Sequence, residues 1–137
     1  MLLLIPKYKT MPTISIAFAA IAGAIHVIFF LMESVFWMNP KVHRGFGIKN
    51  VAEAEQFKLS FFNQGFYNLF IALGTLLGIS FIFKGQVMLA GILISFCGFC
   101  MVGAGVVLWF SAPHLRRAAY AQMIPPLLGF FFLAFHI

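Results

Sequence analysis

One carboxylate, one imidazole, four amides and a phenol stand inside stretches that are otherwise Leu, Ile, Val, Ala, Gly and Phe. Glu33 is the only acid within these apolar runs, and His26 precedes it by seven residues, two helical turns away on the same face. Either group can exchange a proton. Asn63, Gln64, Tyr67 and Asn68 follow in a second run, within about 140° of arc at 100° per residue, and Gln122 lies in a fourth. Amides both donate and accept, so this set suits orienting a polar ligand or passing a proton. As a zinc centre it falls short: one His and one carboxylate lack the ligand count, and His43, His114 and His136 sit in loops or at the far end. No metal is expected, and no cofactor is identified. Cys97 and Cys100 form a CxxC, but an apolar helix offers nothing to stabilise thiolates, and we read the pair as packing.

The elements that must hold these groups follow from composition. The chain has 137 residues, of which 63% are hydrophobic and 9% charged, with 19 Phe, too little polar surface to coat a water-soluble globule of this size. Charge-free runs extend over residues 10–32, 59–83, 85–115 and 118–137, and each meets the roughly 20 residues an apolar helix needs to cross hydrocarbon. The expectation is an all-α integral membrane four-helix bundle: a tail at 1–12, then antiparallel spans at about 13–38, 54–83, 86–111 and 118–137. Pro40 ends the first span, and Trp37 sits where an interfacial aromatic belongs. The loop from Asn39 to about Ala52 should lie on the membrane surface. Glu53 and Glu55 suit the positive end of the second helix. Gly91, Gly98 and Gly105 give the third span a stripe for close helix approach. Pro125 and Pro126 remove the donors for the carbonyls of Ala121 and Gln122, which predicts a kinked fourth helix.

Nine Lys and Arg against three acids give a net charge of +6. The basic residues lie beside span ends rather than in an aromatic-interleaved patch, so they read as topology signals and not as a nucleic-acid surface. Lys41, Arg44, Lys49, Lys58, Arg116 and Arg117 flank loops one and three, against Lys7, Lys9 and Lys84 on the other face. The positive-inside rule then puts loops one and three in the cytoplasm and both termini outside.

Depth brings the polar groups together. Glu33, Asn63 and Gln122 each lie five residues inside a span boundary, roughly 7 to 8 Å below the same face, with His26 about 18 Å in. Three spans are therefore expected to aim polar side chains at one shaft entered from the cytoplasmic side. Intramembrane ionisable residues are functional candidates, while plain interhelical hydrogen bonding is the competing explanation.

The residues also carry a resemblance. His26 to Trp37 reads HVIFFLMESVFW, Phe46 and Gly47 follow, Asn63 to Phe70 reads NQGFYNLF, then come Cys100 to Val102, and Ala118 to Gly129 reads AAYAQMIPPLLG. The sequence resembles a small bacterial membrane family catalogued as domain of unknown function 1304, over nearly everything after Met11. The resemblance implies a four-span inner-membrane protein with His26, Glu33, Trp37, Asn63, Gln64, Tyr67, Asn68, Gln122 and Pro125 at motif positions. It implies no activity, and residues 1–10 look additional to the usual family start.

Three functions fit. The first is a site for a small, partly polar molecule or a proton relay, with Glu33 and His26 exchanging protons and Asn63, Gln64, Asn68 and Gln122 orienting the ligand. The second is an accessory or assembly subunit, docking through Phe-rich faces and the glycine stripe. The third is a proton-coupled exporter, by architectural analogy with small multidrug transporters. The bilayer is the expected surrounding, an unidentified small molecule the expected ligand, and a homo-oligomer is compatible with so small a bundle.

Overall fold

The structure is a computed structural model, and it describes residues 10–135. Most of the N-terminal tail, including Lys7 and Lys9, and His136 lie outside the described residues.

Among the described residues, four helices are long and apolar enough to cross a membrane. Helix α1 (Thr13–Phe30) runs directly into a π-helical turn at Leu31–Val35, closed by Phe36 N–H donating to Leu31 O at 2.8 Å. The short α2 (Pro40–Gly45) leads to α3 (Val51–Phe83), α4 (Val87–Ser111), a 3-10 turn at Pro113–Leu115 and α5 (Arg116–Phe135). Around the bundle α1 packs on α3 and α5, and α4 packs on α3 and α5. Sequence neighbours joined by short turns are antiparallel, as expected. One end carries the 36–50 connection and the Pro113–Leu115 turn, here the long-loop end; the other carries the turn at Lys84 and Gly85, here the short-turn end.

Local chemistry sets the boundaries. Asn39 caps α2 by accepting from Lys41 N–H at 3.0 Å, and Pro40 takes the first helical position, where its missing donor costs nothing. This corrects the reading of residues 39–52 as surface loop: part of it is helix, and His43, expected in a loop, is fully buried. Asn50 caps α3 by accepting from Glu53 N–H at 2.9 Å, while the Glu53 carboxylate accepts from Lys49 N–H at 3.1 Å. Helix α3 therefore starts three residues before the expected 54. At 33 residues it is about 50 Å long, more than a bilayer core of about 30 Å. Helix α5 continues through Pro125 and Pro126 and starts two residues before the expected 118.

Small residues let the helices approach. Ala19, Ala22, Ala72, Ala90 and Ala119 are buried, and at the short-turn end Met11, Ala19, Ala90 and Ile94 form a core backed by Ile79, Phe81, Val87 and Leu133. Without water as a driving force, such close contact is what holds membrane helices together. At the long-loop end the ties are more specific. The Arg116 guanidinium stacks 4.3 Å over the Trp109 ring, and Trp109 Nε1–H donates to Tyr120 Oη at 3.0 Å, joining α4 to α5. Trp37, at the interfacial end of the first span, is 2% exposed: its indole N–H donates to Ala54 O at 2.8 Å and its ring stacks on Phe61 at 3.7 Å.

Candidate functional site around Glu33

The first membrane helix buries the face shared by His26 and Glu33, which lie seven residues apart. Ser15, Ala19, Ala22, His26, Glu33 and Trp37 are all buried. Glu33 sits in the middle of the π turn, 3% exposed, and faces α3. Asn68 Nδ2 donates to Glu33 Oε2 at 2.8 Å, and Gln64 Nε2 donates to Oε1 at 3.3 Å. Gln64 and Asn68 are four residues apart on α3, so one helix face supplies both donors.

The approach of α1 to α3 explains this geometry. Ser34 Oγ–H donates to Phe62 O at 2.8 Å. A β-carbon at Gly65 would collide with the Ser34 hydroxyl and come within 3.2 Å of Glu33 Cβ, so only glycine allows the two backbones to meet here. The π turn widens the helix by one residue at this contact, a distortion found often at functional sites. Nothing in the local sequence LMESV signals it; the turn lies where Gly65 lets α1 and α3 meet.

The polar arc of α3 divides. Measured around the helix from the buried Gly65, Asn68 lies about 60° away and Gln64 about 100°, whereas Asn63 and Tyr67 lie about 160° away. Accordingly Asn68 is half-buried and Gln64, though exposed, reaches Glu33, while Asn63 is exposed and Tyr67 is 70% exposed. The expectation that all four face the bundle interior is corrected for Asn63 and Tyr67.

His26 is 1% exposed; its Nδ1–H donates to Ala22 O at 2.9 Å and its ring meets the edge of Phe29 at 5.7 Å. Gln122 is 6% exposed and its Cγ lies against Gly105, on a buried line of α5 with Ala119, Pro126 and Gly129. Neither residue shares a hydrogen bond with Glu33 among the described residues. Gly129 packs on Ser15 and Phe18, so counting back seven residues along α5 brings Gln122 toward Ala22 in the antiparallel α1, deeper than Glu33. The matched depth expected for Glu33 and Gln122 is corrected accordingly: equal distances from span ends ignore the relative shift of the helices. A cavity of about 20 Å³ lies instead among Ser15, Ala22, Thr75, Met101 and Pro126.

Among the described residues, the one ion pair joins Lys58 and Glu55 on the exposed start of α3, and no three of His, Cys, Asp and Glu come together as metal ligands. Glu33 thus has amide donors and no cation within ion-pair reach. Cys97 and Cys100 are free thiols, Cys97 buried against Gly74. His43, which sequence reasoning passed over, donates Nδ1–H to Ile48 O at 3.0 Å beside the Trp37 ring. Asn39-Pro40, a helix-start signal, was the clue to its placement.

No curated protein and no solved structure matches the chain. A family match covers residues 20–134, spanning the π turn, the amide pair and the proline-containing helix. The chain belongs to the family described as protein of unknown function (DUF1304).

Proposed function

We propose that the protein is a bacterial inner-membrane protein whose working group is the Glu33 carboxyl, which takes up a proton or a small molecule bearing a hydrogen-bond donor. The long-loop end faces the cytoplasm, from the distribution of Lys and Arg, and the site is reached from that side.

One observation carries this reading: a buried carboxylate held by two neutral amides with no cation beside it among the described residues. An acid within a span costs about 2.5 to 3.5 kcal/mol on insertion scales, more than helix packing alone requires a protein to bear. An ionised carboxylate offers about four acceptor positions, and the two amides fill two of them. The others suit a proton or a donor group on a ligand. Because Asn and Gln present both N–H and C=O, the same pair can serve the charged and the protonated carboxyl. His26, two turns further along α1, is the second proton carrier, and the apolar helix faces form the walls that such sites commonly have.

Thermal stabilisation of the purified protein against a panel of small amines, alcohols and amides tests the reading. A hit is expected to vanish in Glu33→Gln and to weaken in Asn68→Ala. A hit unchanged in both variants contradicts it.

A further inference from the structure

Glu33 leaves a second set of polar groups unused, between the helices toward the short-turn end. Ser15 is 3% exposed, and its Oγ has no hydrogen-bond partner among the described residues. It lines the cavity of about 20 Å³ described above, enough for one water by the usual minimum of about 10 to 15 Å³. Thr75, 2% exposed, lines the same space; its hydroxyl donates to Ile71 O at 3.0 Å, which leaves its lone pairs as acceptors.

We infer that this cavity is a binding site for a single water molecule, which accepts from Ser15 Oγ–H and donates to Thr75 Oγ1. Ser15 Oγ is a buried donor lacking an acceptor and Thr75 Oγ1 keeps an acceptor site, the two partners a buried water needs at minimum. Burying such a group unpaired is expensive, and a bound water is the common remedy. Ala22 also lines the cavity and accepts the His26 Nδ1–H bond, so the imidazole stands one turn from the water. The inference rests on these groups and not on the reading of Glu33.

Water-to-methyl cross-relaxation in the full chain, reconstituted in lipid nanodiscs with labelled Ala and Thr methyls, provides the test. Contacts from a long-lived water are expected at Ala19, Ala22 and Thr75. They are expected to disappear in Ser15→Val, to fall in Ser15→Ala, which removes only the hydroxyl and keeps the fold, and to persist in Glu33→Gln. Absent contacts in the unaltered protein, with dissolved xenon shifting those methyls, would show a dry cavity and overturn the site. Contacts that survive Ser15→Ala at full strength, or that vanish in Glu33→Gln, would overturn it as well.

Discussion

The two ends of the bundle are built on different rules. At the short-turn end, regular helices meet through small residues, and Ala19, Ala90 and Ile94 form an apolar core. At the long-loop end α1 leaves its regular path, Ser34 and Trp37 bond to backbone carbonyls of α3, and Glu33 enters a pair of amides. The first end needs only small side chains at a helical period, and many sequences would satisfy it. The second depends on particular atoms at particular distances, and each removal leaves a partner unpaired.

Substitutions can break that contrast. The largest effect is expected for Trp37→Ala, which removes the Phe61 stack and the bond to Ala54 and costs about 3 to 5 kcal/mol. Denaturation in mixed micelles measures it; a loss no greater than that of an exposed aromatic would show that the indole is not a tie between α1 and α3. Gly65→Val forces α1 away from α3 and is expected to cost about 1 to 3 kcal/mol. It should also sever the Ser34 bond, read as faster amide exchange near Leu31–Val35.

Glu33→Leu is expected to cost about 1 to 3 kcal/mol by stranding Asn68 and Gln64, whereas Glu33→Gln, which keeps an acceptor there, falls below about 1 kcal/mol. Equal losses in the two would indicate that packing rather than hydrogen bonding holds the site. At the bottom of the scale, Asn63→Ala and Tyr67→Phe are expected to stay within about 0.5 kcal/mol, because both side chains face outward. A large loss at either would place it in an interface with another chain.

The same contrast explains what could be read in advance. Spans and their antiparallel order follow from apolar length and turn residues, and the common buried face of His26 and Glu33 follows from their spacing of seven. Glu33 and its need for amide donors were legible because a carboxylate in hydrocarbon requires them. Which amides serve it was not, since the arc holding Asn63, Gln64, Tyr67 and Asn68 is wide and its centre is fixed by Gly65, a residue with no chemistry of its own. The π turn and the depth of Gln122 arise from how helices distant in sequence slide and press together, and no local pattern records that.

The central claim is that the Glu33 carboxyl exchanges a proton or ligand while Asn68 and Gln64 hold it. Difference infrared spectroscopy of the membrane-reconstituted protein tests this most directly. The account predicts a carboxyl band that changes with pH or with bound ligand, is lost in Glu33→Gln, and shifts more in Asn68→Ala than in Gln64→Ala, following bonds of 2.8 and 3.3 Å. A Glu33 band that ignores pH and every ligand tried, or that does not move when Asn68 is removed, would contradict it.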